Sequence, residues 1–142
     1  IKIIIVILTI FIGKLTYCAN IVPVHDYGDY VLNCIDIVNN KRESRPFLKP
    51  YKPDPQLQEQ AELIVLEMAT LNHKGHLNRR QRGSEYNFYP VARGEGCGWY
   101  GAKDYTGNHY TTCFLYSRNY TYAGAAAAIS TNGTTFYVLL VK

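Results

Sequence analysis

No GxSxG elbow, HExxH helix or paired-cysteine motif occurs in the 142 residues. The chain therefore offers neither a serine nucleophile at a strand-to-helix turn nor a local pair of zinc ligands. Charge is sparse as well: 18% of the side chains are Asp, Glu, Lys or Arg, and the net charge is +4. The one basic cluster, Lys74 to Arg82 (KGHLNRRQR), carries few aromatic residues between its charges on which bases could stack, which argues against a nucleic-acid partner. No apolar run reaches the roughly 20 residues that a spanning helix needs.

The longest apolar run is Ile1 to Gly13, broken by Lys2 and followed by a short polar segment that leads to Cys18 and Ala19. A charge, a short apolar run and a small-residue exit predict a secretory signal over 1–19, cleaved near Cys18 or Ala19. A retained N-terminal anchor is the competing reading. Removal of the signal takes away Lys2 and Lys14 and leaves 13 basic against 11 acidic side chains, a net charge of +2. Residues 20–142 then suit a single secreted, extracellular domain. Three cysteines stay with it: Cys34, Cys97 and Cys113. In an oxidising compartment Cys97 with Cys113 is the preferred disulfide, with Cys34 buried on a helix as a small apolar side chain. Spacing alone leaves the pairing open.

Asp29 is placed to cap a helix from Tyr30 to about Lys41, with Val31, Cys34, Ile35 and Val38 as its apolar face. Three prolines between Arg45 and Asp54 force an extended crossing, with Phe47 and Leu48 tucked beneath it. Asp54 then caps a second helix with Pro55 at its first position, and Leu57, Ala61, Ile64, Val65 and Met68 form the buried stripe. Gly96, Gly98 and Gly101 formally match GxGxxG, yet no clear strand precedes them and no acidic residue follows about 20 positions on, so a dinucleotide site is discarded. The last third predicts a hairpin: Tyr120–Ile129 and Thr135–Val141 flank Asn132-Gly133, with Phe136, Val138 and Leu140 on one face and Tyr137, Leu139 and Val141 on the other. Ala125–Ala128 could instead be helical on propensity. Covered on both faces, this sheet makes a small α/β/α sandwich, mainly antiparallel, with a C-terminal β-hairpin.

With the elements in this order the chain resembles the CAP superfamily, the SCP-like secreted proteins that include cysteine-rich secretory proteins, antigen 5 venom allergens and pathogenesis-related proteins. The N-terminal likeness is a helix with Asn39-Asn40-Lys41-Arg42 in place of the family's Asn-x-x-Arg, a proline-containing crossing, and an Asp-started helix ending in Met68-Ala69. The C-terminal likeness is Asn108-His109-Tyr110-Thr111-Thr112, similar to the family's Gly-His-Tyr-Thr-Gln, followed by Tyr122-Ala123-Gly124-Ala125-Ala126. Gly94-Glu95 falls in the place of Gly-Glu-Asn, with Gly96 where the family has Asn. Only 13 residues lie between Glu95 and His109, where family members have a further helix with a second acidic residue.

The resemblance implies a cleft containing His76, Glu95, His109, Tyr110 and Thr111. Two imidazoles with Glu95 as third ligand or base could hold a divalent metal such as zinc, so His76, His109 and Glu95 are the candidate metal ligands, although no cofactor is required. Thr111, Thr112, Ser117 and Cys113 are the nearby hydroxyls and thiol, better explained as turn, ladder or oxidised residues than as nucleophiles. The 13 tyrosines supply amphipathic walls, and the family is associated with binding lipids, sterols or extracellular proteins. The expected function is binding of an apolar small molecule or an extracellular partner, with a metal-assisted hydrolase as the alternative. Asn119 and Asn132 head N-glycosylation patterns, meaningful only in a eukaryotic source.

Overall fold

The computed structural model describes residues 30–77 and 92–142; the expected signal, Asp29 and the larger part of the Lys74–Arg82 cluster lie outside them. Five strands form one sheet: β1 (Tyr30–Asn33), β2 (Lys52–Pro53), β3 (Gly94–Tyr100), β4 (Tyr122–Ile129) and β5 (Thr135–Val141). The order is β1-β4-β5-β3, antiparallel throughout, and the two-residue β2 joins β4 in parallel. Two helices, α1 (Ile35–Glu43) and α2 (Pro55–Leu71), cover opposite faces, giving the expected small α/β/α arrangement.

β4 and β5 are the hairpin that Asn132-Gly133 announces. Gly133 sits at φ +86°, and Asn132 Oδ1 accepts from the Thr134 N–H at 3.1 Å and from the Ser130 hydroxyl. Ala125–Ala128 is strand, because it pairs residue by residue with Leu139 back to Phe136. That ladder outweighs alanine's helix propensity. Phe136, Val138 and Leu140 face α2 together with Ala126 and Ala128, whereas Tyr137, Leu139 and Val141 face α1 together with Ala123, Ala125 and Ala127. Every residue of β5 is buried, as expected of a strand covered on both sides.

Helix α2 begins as its sequence requires. Asp54 takes an extended N-cap conformation, its carboxylate accepts from the Leu57 N–H at 2.9 Å, and Pro55 occupies the first turn. Asn72 ends the helix in a left-handed conformation at φ +48°. Leu57, Ala61, Ile64, Val65 and Met68 are all buried, and each of the larger ones contributes about 1.5–3 kcal/mol by leaving water. The start of this helix presses on β4 so closely that a Cβ on Gly124 would fall 2.2 Å from the Leu57 carbonyl carbon and 2.3 Å from the Gln58 nitrogen. Only glycine permits that approach. Beside it the Gln58 amide works as a piece of strand: its Oε1 accepts from the Ala125 N–H at 3.0 Å and its Nε2 donates to the Ala125 carbonyl at 2.9 Å. With the Cys34 N–H, which also donates to the Ala125 carbonyl at 2.8 Å, it fills the gap that β1 and β2 leave along β4.

The other face departs from expectation at its start. Tyr30–Asn33 is a strand rather than the first turn of a helix, paired with Ala126–Ile129. Pairing with a distant strand overrides the local helical spacing, and α1 begins only at Ile35, where Asn33 Oδ1 accepts from the backbone N–H at 3.1 Å. The supposed single apolar face is therefore split: Val31 packs on the α2 side, and Cys34, Ile35 and Val38 on the α1 side. Cys34 is buried as expected, at the helix N-cap, and burial first, then the Asp104 charge, pushes its thiol up to about 12. Phe47 is not tucked beneath the crossing; it is 89% exposed, with φ +69°.

α1 is short, and most of this face is closed by the loop 101–121. The alternating glycines of β3 make room for it. A Cβ on Gly96 would lie 2.2 Å from the Cys113 carbonyl oxygen, and one on Gly98 would lie 2.0 Å from that of Thr111. The glycine-rich segment is thus a strand surface on which backbone rests, which explains it without any nucleotide. Cys97 points to the opposite side, against the α2 cluster, while Cys113 is exposed on the loop side. The expected Cys97–Cys113 disulfide is accordingly not formed: strand alternation puts the two thiols on opposite faces of β3.

Candidate functional site

His109 is held by the loop that closes the α1 face. Asp104, 4% exposed, gathers this loop: its Oδ2 accepts from the Tyr137 hydroxyl at 2.6 Å and the His109 N–H at 2.9 Å, and its Oδ1 accepts from the Thr106 hydroxyl at 3.0 Å and the Asn108 N–H at 3.2 Å. Burial alone would raise its pKa, but these hydrogen bonds, led by Tyr137, outweigh it and hold the carboxyl below its ordinary value. Burial first, then the same contact, pushes the Tyr137 hydroxyl well up. Asp104 N–H donates to Thr135 Oγ1 at 2.9 Å, and that hydroxyl donates to the Ala102 carbonyl at 2.8 Å, tying the loop to β5.

The outcome is a fixed imidazole at the surface. The exposed His109 ring lies over Tyr100 with centroids 3.9 Å apart and planes 10° from parallel. Tyr105, two positions after Lys103, adds a 56% exposed ring on the same loop. Asp104 and Tyr100 were not singled out by sequence reasoning; the available signal was Asp104-Tyr105-Thr106-Gly107-Asn108, a turn in which Asp and Thr side chains bond to backbone just ahead.

The expected cleft residues do not all converge. His76 Nδ1 lies 2.9 Å from Glu95 Oε1, with the His side chain 54% exposed and the Glu 14%. Glu95 pairs across to Leu140, on the face covered by α2. Tyr100, and with it His109, belongs to the other face. Along β3 the two positions are about 16 Å apart at roughly 3.3 Å per residue. His76 and Glu95 therefore meet, and His109 stands apart from them with the sheet between, which corrects the expectation of one three-residue metal centre. Tyr110 is core rather than cleft wall: it is 1% exposed and its hydroxyl donates to the Val138 carbonyl at 2.5 Å. Thr111 is exposed, with its carbonyl over Gly98.

A second feature lies at the end of α1. Arg42, 2% exposed, donates from Nε to the Lys49 carbonyl at 2.8 Å and from Nη1 to the carbonyls of Leu115 at 2.9 Å and Ser117 at 2.8 Å. Its guanidinium lies 3.7 Å from the centroid of the Tyr51 ring, whose hydroxyl donates to the Phe114 carbonyl. Asn39 bonds both backbone groups of Tyr51, at 2.8 and 3.0 Å. The Asn39 and Arg42 pair thus stitches the proline crossing and the loop 101–121 to α1.

Comparison with protein-family models, curated proteins and solved structures finds no match for this chain.

Proposed function

We propose that this chain is a secreted, SCP-like (CAP-like) binding domain that takes an apolar ligand, a lipid or sterol, or an extracellular protein partner, at the Tyr100–His109 surface. The observation that carries the proposal is the exposed His109 ring stacked at 3.9 Å on Tyr100 above a loop pinned by the buried Asp104 carboxylate. A rigid aromatic pair with a polar edge buries apolar area at small entropic cost while its nitrogens meet polar groups. The likeness of Asn108–Thr112 and of the Asn39 and Arg42 helix to the CAP pattern supports the assignment. So does the stitching by Asn39 and Arg42, which gives that pattern a physical reason.

A hydrolase built on His76, Glu95 and His109 would need the three side chains at one centre, and they occupy two faces of the sheet. Binding is therefore the better supported function. The test is saturable binding of a fluorescent sterol and a fluorescent fatty acid to the purified chain, compared with Tyr100→Ala and His109→Ala. Both substitutions should weaken binding at least about tenfold with unchanged far-UV circular dichroism; equal affinity in all three proteins would overturn the site.

A further inference from the structure

Beside Arg42 a cavity of about 330 Å³ opens on the surface, lined by Arg42, Lys49, Lys52 and Arg118, with Phe47 and Tyr120 among its apolar walls. Four cationic residues line one small volume, and among the described residues no carboxylate lines it. Among the described residues the ion pairs are His76 with Glu95 and Lys142 with Asp54, so none of these four cations is neutralised by a side-chain partner. Asp54, which follows β2, is already engaged by Lys142 at 2.6 Å and by the Leu57 N–H.

Arg42 is the sharpest part of this imbalance. Its charge is almost fully buried and meets three backbone carbonyls and a tyrosine face, but no anion. Buried charges are ordinarily paired, because an ion taken out of water without a partner loses its hydration uncompensated. Its Nη2 takes part in none of those bonds. Phe47 adds an independent irregularity at the rim: a large aromatic side chain 89% exposed on a left-handed backbone. Such a conformation is strained, and exposing the ring returns nothing to folding. A ligand with an anionic head and an apolar neighbour would use both features.

We propose that this cavity binds a phosphate group, with Arg42 at its base and Lys49, Lys52 and Arg118 around it. Guanidinium and ammonium groups in a half-enclosed site form charge-assisted hydrogen bonds to phosphate oxygens, and the volume suits a single small head group rather than a polymer. The same chemistry is presented by a soluble phosphate ester and by a phospholipid head group. The site is separate from the Tyr100–His109 surface and stands or falls independently of it.

Two probes distinguish the sources: inorganic pyrophosphate, followed by calorimetry, and phosphatidylcholine vesicles with and without phosphatidic acid, followed by flotation. The wild-type chain should bind at least one phosphate probe, and Lys49→Gln/Arg118→Gln should weaken that binding at least about tenfold, since it removes two exposed charges and leaves the Arg42 scaffold intact. Lys74→Gln/Lys103→Gln removes the same charge from residues that do not line the cavity and should leave binding unchanged. Pyrophosphate binding assigns a soluble ester, and binding only to vesicles with phosphatidic acid assigns a head group; either supports the site. Absence of binding to both probes overturns the proposal, as does an equal loss in the two double variants.

Discussion

The two faces of the sheet are closed by different means. On one, a single helix of 17 residues lays an unbroken apolar stripe on β4 and β5. On the other, a 9-residue helix covers only part of the sheet, and the rest is roofed by the loop 101–121. A helix satisfies its own backbone, so the α2 face can be dry. A loop cannot, so the α1 face needs Arg42, Asn39, Asp104 and buried tyrosine hydroxyls to supply its partners. The first face provides stability by area, and the second provides positions at which side chains can be aimed. Both candidate sites lie on the second.

This contrast can be broken most severely at Gly124, where the dry face is tightest. Gly124→Ala places a methyl group 2.2 Å from the helix backbone, which cannot give way as a flexible side chain would, and should cost more than about 4 kcal/mol. A soluble variant with a wild-type melting curve would refute the close approach. Leu57→Ala on the same face should cost about 2–5 kcal/mol, with a loss that does not vary with pH, as the deleted isopropyl group carries no titrating atom.

The roofed face should behave differently. Asp104→Asn should cost about 2 kcal/mol at neutral pH, because the strongest acceptor of the loop is weakened. Asp104 has a folded pKa below its unfolded value, so the stability it contributes is fully present above the ordinary carboxylate range near 3.9 and is lost as the pH falls through the depressed folded value. Denaturant melts from pH 6 downward should therefore show wild type and variant converging in acid. A stability difference that stays constant over that range would remove Asp104 as the titrating element.

The parts legible in the sequence were those encoded by neighbours along the chain. Asp54 with Pro55, the spacing from Leu57 to Met68, and Asn132-Gly133 each dictate a local geometry, and α2 and the hairpin follow from them. Tyr30–Asn33 was not legible as strand, because its partner stands almost a hundred residues away at Ala126–Ile129. The alternation of Gly94, Gly96 and Gly98 has the period of a strand, but what lies on it is the backbone near Thr111 and Cys113, and side-chain identity encodes that poorly. For the same reason spacing could not tell that Cys97 and Cys113 face apart. Of the site, His76 lies against Glu95 and His109 is at the surface, but whether two histidines share a face depends on strand parity that the motif alone does not carry. Arg42 was visible only as part of a pattern, and its three carbonyl partners emerge from the fold.

Gln58 has a consequence beyond the packing of α2. A side-chain amide offers one donor and one acceptor side, as a peptide group does, and here it meets Ala125 of β4 between β1 and β2, sharing the Ala125 carbonyl with the Cys34 N–H. An alanine-rich strand with a gap in its pairing would be a template onto which another chain could add. With the Gln58 amide seated there, Ala125 is paired between β1 and β2, so docking of α2 both buries the core and completes the bonding of β4.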